Sequence, residues 1–411
     1  MSKTVLKNTG AIVSGDLREP LLPGDTIVVE DGRFAAIGYA GRLDLTNADT
    51  VLDIQQMTVA PGLIDPHVHV VVGDWTPRQT AFGWMEGALQ AGVTTAISQG
   101  AAHVQGMPPL GKATKALSLT LAYTYQNFRP GGMKVHGGSV ILESGLDEAD
   151  FREMHEAGVR TIAEIGGAGI TDPEEVLAMV RIARNLGWTV PVHLGAKSIP
   201  GSVSLITAES VLRYEPDLLV HVNGGSTAAP WPEIEKTITQ SQVMLEVIYS
   251  GNTAVGHRVI RLLRERGELH RLLLGSDTPT CFGVVPNAIL RTVVDISSVH
   301  GIPAAQAWAF ATGNVAKVYK LDVGLIRPGA PADLVVVHPA DDACTDNGLA
   351  CIEYGDTPSI NLIMVDGRVV AEHARNTRIS SLKVLVEKYT PPAGGGRAED
   401  VLYPGIFRGG R

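Results

Sequence analysis

Apolar and polar positions fall into two regimes along this chain. Near the start the period is two. Thr26-Ile27-Val28-Val29-Glu30 leads through Asp31-Gly32-Arg33 into Phe34-Ala35-Ala36-Ile37-Gly38. That pattern predicts a strand, a tight Asp-Gly turn and a returning strand. A second such unit lies near the other end. Ala332-Asp333-Leu334-Val335-Val336-Val337 reads as a strand, and Ile363-Met364-Val365 runs through Asp366-Gly367 into Arg368-Val369-Val370. Neither end can bury a core alone, so residues 1–57 and 323–385 are expected to pair into one β-sandwich.

Between the ends, strand-like runs alternate with helical periodicity. The expected strands are 58–68, 94–99, 134–142, 159–166, 189–195, 218–223, 243–249 and 271–277. One intervening helix opens with Asp172-Pro173-Glu174-Glu175: a capping side chain, a proline in the first turn and acids at the positive dipole end. It is expected to stop at Gly187. Another follows from Ala254 to Leu263, and helices from about 285 to 320 follow the last strand. Eight strands alternating with helices predict a (β/α)8 barrel over 58–322, with an open doubly wound sheet as the competing arrangement. No Gly-x-Gly-x-x-Gly follows an early strand, which weighs against a dinucleotide site. Residues 386–411, rich in Pro, Gly and Arg, are expected to form an extended C-terminal tail.

Composition narrows the class. The 411 residues are 45% hydrophobic and 19% charged, as in globular proteins. No apolar run is long enough to span a bilayer, and the N-terminal stretch lacks a signal-peptide pattern. A net charge of −9 without a basic stripe gives no footprint for nucleic acid. The cysteines Cys281, Cys344 and Cys351 are too few and scattered for a disulfide framework. Unpaired thiols and a reducing cytoplasmic setting are expected.

The chemistry lies at the predicted strand ends. In Asp65-Pro66-His67-Val68-His69 the alternation of a strand sends both imidazoles to one side. Imidazole is a common ligand for zinc, iron, nickel and cobalt. Strand four ends at Glu164, strand five at His193, strand six at His221 and strand eight at Asp277. In a barrel these C-terminal ends share one mouth. Four histidines and two carboxylates would then converge there.

On these residues, and on the split sandwich marked by Glu30-Asp31-Gly32-Arg33 and Gly329-Ala330-Pro331-Ala332-Asp333-Leu334, the chain resembles the amidohydrolase superfamily. Within it the chain is most similar to the enamidase group. Thr76-Pro77-Arg78-Gln79, Lys134-Val135-His136-Gly137-Gly138, Ser198-Ile199-Pro200-Gly201-Ser202 and Asn223-Gly224-Gly225 carry that likeness. The resemblance implies two divalent ions, zinc and/or iron with manganese a further option. One would be held by His67, His69 and Asp277, the other by His193 and His221. Glu164 and a water or hydroxide would bridge them, with Lys134 the alternative to Glu164. It further implies Asp277 as the catalytic proton carrier, a homo-oligomer, specifically a tetramer, and hydrolysis of a cyclic amide. The substrate would be 6-oxo-1,4,5,6-tetrahydronicotinate or a related lactam.

Such a substrate carries a carboxylate, and Arg78, Lys134 and Lys197 are candidate cations for it, with His136, Trp75 and Phe282 as further pocket residues. Trp75, Leu194-Gly195-Ala196-Lys197 and Phe282 depart from the enamidase pattern where substrate is expected to sit. Two alternatives stand beside this reading. One is a related hydrolase or deaminase acting on a different lactam, imide or N-acyl compound. The other is a noncatalytic metal-binding scaffold.

Overall fold

The computed structural model describes residues 2–70, 81–101, 106–170, 172–195, 206–224, 229–279 and 283–390. Its centre is a parallel barrel. Three strands, Leu63–Val68, Val93–Ser98 and Lys134–His136, form one ladder. Four more, Pro191–His193, Leu218–Val220, Met244–Ile248 and Leu272–Gly275, form another. Residues 160–165 join the two, because Val140 bridges Ile162 on one side while Thr161 and Ile165 bridge Thr189 and Val192 on the other. Closure comes from a parallel bridge between Val68 and Thr278, reinforced where Asp277 N donates to His67 O at 3.0 Å. The fold is a (β/α)8 barrel joined to a β-sandwich.

A helix follows each barrel strand. The fourth, Pro173–Asn185, starts where the sequence predicts, since Asp172 accepts from the N–H groups of Glu174 and Glu175. Leu186 caps its end, and Gly187 turns the chain at φ 76°. The seventh, Thr253–Glu265, buries Gly256, Val259, Ile260 and Leu263, an i, i+3, i+4, i+7 stripe facing the strands. A further helix, Gly313–Tyr319, closes the N-terminal end of the barrel. Its Val315, Ala316 and Tyr319 pack on Ile64, Ile97, Leu218, Val220 and Leu273. The opposite end is thereby left for polar side chains.

The sandwich has a five-stranded and a six-stranded sheet. Leu334–His338 lies antiparallel to Thr58–Pro61, so the two chain ends share one sheet. Leu6, Ile27, Phe34, Leu52, Val336, Leu362 and Met364 fill the space between the sheets. In each hairpin turn two successive residues have positive φ, Asp31 and Gly32 in one and Asp366 and Gly367 in the other. That is the conformation for which Asp-Gly is suited.

Four boundaries differ from the sequence pattern. The expected strand 134–142 is regular only at Lys134–His136, and the expected strand 159–166 makes isolated bridges instead of a regular ladder. The run 58–68 is two strands, not one. Thr58–Pro61 belongs to the sandwich, and the chain crosses to the barrel at Gly62, where a Cβ would sit 2.1 Å from Thr94 Oγ1. The region expected to begin the tail at 386 lies inside the strand Leu385–Tyr389, which pairs with Thr50–Asp53. Residues 391–411 lie outside the described residues. Cys344 and Cys351 are free thiols, and among the described residues no helix is long and apolar enough to cross a membrane.

Lys134 joins barrel to sandwich. Its Nζ lies 2.7 Å from Asp333 Oδ2 and 2.7 Å from Asp366 Oδ1, and Asp333 is almost wholly buried. Removing one partner of a buried pair leaves the other uncompensated. Lys134→Met is therefore expected to cost about 3 kcal/mol in chemical denaturation. An unchanged midpoint would show that this ion cluster does not hold the two units together.

Candidate metal centre

The first strand delivers two imidazoles whose outer nitrogens are already committed. His67 Nδ1 lies 2.7 Å from Glu246 Oε2. A carboxylate can only accept, so Nδ1 carries a proton, and Nε2 is the nitrogen that can offer a lone pair once it gives up its own. His69 Nδ1 donates in the same way to Gly100 O at 2.9 Å. Both Nε2 atoms turn towards one carboxylate oxygen, Asp277 Oδ1, at 3.6 Å from His67 and 3.2 Å from His69. His67 Nε2 is buried and has no hydrogen-bond partner.

Glu164 forms the other side. Its Oε2 stands 2.7 Å from His221 Nε2 and 3.3 Å from His193 Nδ1, while Oε1 faces His69 Nε2 at 4.0 Å. Two groups with metal-ligand spacing result: His67, His69 and Glu164, and Glu164, His193 and His221. They share Glu164. Ligand atoms about 2.1 Å from a common ion stand roughly 3.4 Å apart in a tetrahedral site. The 3.2 to 3.6 Å separations around Asp277 and His193 match that spacing. The donor set and these separations therefore fit the binding of a divalent metal ion.

Local backbone is shaped for this convergence. His221 and Asp277 adopt positive φ, 31° and 58°. Such a conformation is uncommon for non-glycine residues and concentrates at functional sites. Gly167 makes room for the central carboxylate, since a Cβ there would lie 2.6 Å from Glu164 Cδ.

The electrostatics are those of a site that attracts positive charge. Burial alone would disfavour ionised carboxylates. It opposes the charged form of Glu164, yet His221 and His193 hold that carboxyl well below its usual range. Burial likewise opposes ionisation of Asp277, and His67 and His69 more than offset it. Burial disfavours protonated His67, but Glu246 and Asp277 push its pKa up to about 10. Among the described residues the ion-pair partners of Glu164 and Glu246 are all histidines. Protonated imidazole and a bound metal cation are alternative ways to neutralise the same acids.

All six residues taken from the strand ends meet here. Of the expected pocket residues, the two that are described, Lys134 and His136, do not join them. Lys134 is bound to Asp333 and Asp366 at the start of strand three, remote from the strand ends that carry the histidines. His136 lines a small hollow with Thr161, Tyr319 and Leu321 at the barrel's closed end. Strand pairing puts His136 on the face shared with Ile97, which packs on the plug helix. The reason in both cases is that polar residues can lie at either end of a strand region, and these precede the buried apolar run Val140-Ile141-Leu142. Trp75, Arg78, Lys197 and Phe282 lie outside the described residues.

Two acids join the site that strand-end reasoning passes over. Asp65 accepts from Ser276 Oγ at 2.5 Å, Ser276 N at 3.1 Å and His67 N at 3.2 Å, tying strand eight to strand one. Burial raises its pKa to about 6 despite these bonds. Glu246 lies mid-strand rather than at a strand end. The available signal was its charge inside the apolar run Met244-Leu245-Glu246-Val247-Ile248.

The comparisons with known proteins agree with this geometry. The amidohydrolase family model matches residues 58–370. Enamidase from Eubacterium barkeri is 42% identical over 377 residues, covering 92% of this chain and 97% of that protein. A crystal structure of enamidase superposes with a TM-score of 0.88, covering 94% of this chain and 100% of that one. Dihydropyrimidinase from Brevibacillus agri, at 16% identity and a TM-score of 0.65, covers 95% of this chain and 100% of its own, and shares the fold. On the family match and on the near full-length likeness to enamidase, the chain belongs to the amidohydrolase family.

Proposed function

We propose that this chain hydrolyses the C–N bond of a cyclic amide, opening 6-oxo-1,4,5,6-tetrahydronicotinate or a related lactam. The observation that carries the reading is the pair of histidine groups sharing Glu164, in a chain 42% identical to an enamidase along nearly its whole length. His67, His69 and Asp277 would hold one divalent ion, and His193 and His221 the other, with Glu164 between them. Zinc and iron both suit this donor set, and so does manganese. The ions would supply Lewis acidity, making water nucleophilic near neutral pH and polarising the amide carbonyl.

The chain's own residues supply the proton traffic and the geometry. Asp277 Oδ1 stands where the two first-strand imidazoles converge. As an ionised carboxylate it takes the proton of the attacking water and returns it to the ring nitrogen as the C–N bond breaks. His67 and His69 cannot rotate freely, because Glu246 and Gly100 hold their Nδ1 atoms. Burial of all four histidines excludes bulk water, which strengthens every charge interaction inside. A homotetramer in the cytoplasm belongs to the same proposal.

Two experiments test it. Asp277→Asn is expected to fold normally and lose about 10³-fold in turnover, the scale of one general acid–base group. Near-normal turnover would remove Asp277 from the mechanism. Chelation is expected to abolish ring opening, and zinc or iron(II) to restore it, with the ring-opened product read by mass spectrometry for a panel of cyclic amides and imides and ammonia release read for aminopurines. Turnover of aminopurines without any lactam would replace this reading with a deaminase. Metal uptake with no hydrolysis in the panel would replace it with a scaffold.

A further inference from the structure

Glu246 has no access to solvent, and its chain neighbours Leu245 and Val247 are buried apolar residues of the outer core. A carboxylate in such a place is costly unless its charge is used. It is absent from both groups with metal-ligand spacing. Its Oε2 instead accepts twice, from His67 Nδ1–H at 2.7 Å and from the backbone N–H of His221 at 3.0 Å. One oxygen on strand seven therefore fixes a ligand of strand one and a ligand of strand six. The neighbouring strand is cut to fit. A Cβ at Gly275 would lie 2.6 Å from Glu246 Oε1 and 3.2 Å from His67 Cβ.

We propose that Glu246 is a positioning residue that acts through His67 and sets the metal affinity of the His67–His69–Asp277 side of the centre. The inference rests on the metal-hydrolase reading above. A carboxylate behind a ligating histidine fixes its tautomer and orientation and strengthens the donor nitrogen. Glu246 does this to the His67 ring but touches His221 only at the backbone. Its charge therefore bears on one ion more than on the other. A glutamine could still accept from His67 and His221 N through its amide oxygen. It would lack the charge, and its NH₂ would enter the space where Oε1 has no hydrogen-bond partner.

The test is zinc binding by the full chain, read against a chromogenic chelator, with thermal melting of the metal-free proteins alongside. Wild type is expected to hold two zinc ions. Glu246→Gln is expected to weaken one of them about 10-fold and Glu246→Ala about 100-fold, the range for outer-shell partners. The second ion is expected to stay close to wild type. The metal-free Glu246→Gln protein is expected to melt near the metal-free wild type, which a merely structural role would not allow. Gly275→Ala, which crowds the carboxylate without removing it, is expected to weaken the same ion even if Glu246→Ala does not fold. Equal retention of both ions by wild type and Glu246→Gln would overturn this proposal alone. So would equal weakening of both ions, or a matching loss of stability in the metal-free form. Failure of wild type to bind any zinc or iron(II) would overturn the metal reading and this inference together.

Discussion

Negative charge held away from water is the constraint on which this structure depends. Asp65, Glu164, Glu246 and Asp277 all lie inside the barrel, on or just beyond strands one, four, seven and eight. Ionised carboxylates in a low-dielectric interior require either cations or proton uptake. Two divalent cations match the charge of four carboxylates. The histidines beside the acids offer lone pairs at spacings that suit such ions. The site is therefore a balance of charge as much as a set of ligands.

The barrel supplies the convergence. Each ligand follows a short apolar strand whose register is set by its neighbours, so six positions over two hundred residues meet within a few ångströms. Ring closure between strands eight and one is central to this. Asp65 links Ser276 to the backbone of His67, and Asp277 N donates to His67 O. Asp277 and His67 thus share one hydrogen-bonded seam. At the other end, Tyr319 and its helix plug the barrel, which leaves one open face for chemistry. The hairpin turns of the sandwich reach the barrel through Asp366 and Lys134, tying the flanking unit to the start of strand three.

Much of this was legible in the chain because it obeys simple periodicities. Alternation put His67 and His69 on one side, and strand counting put Glu164, His193, His221 and Asp277 at one mouth. Asp172-Pro173 announced a helix start through local chemistry alone. The parts that were not legible depend on contacts across strands. Glu246 is an ordinary mid-strand position until strand seven is laid beside strand one. Lys134 reads equally well as a substrate cation or a structural ion until Asp333 and Asp366 are brought to it. The strand break at Gly62 follows from Thr94, which is thirty-two residues away in sequence. Period-two patterning carries no information on such pairings.

The central claim is that these side chains gather around two cations, and anomalous diffraction from crystals of the metal-loaded protein tests it most directly. The account predicts two peaks about 3.5–4 Å apart. One should lie against His67 and His69 and the other against His193 and His221, with an oxygen of Glu164 directed to each. A single peak, or a Glu164 carboxylate turned away from both, would contradict it.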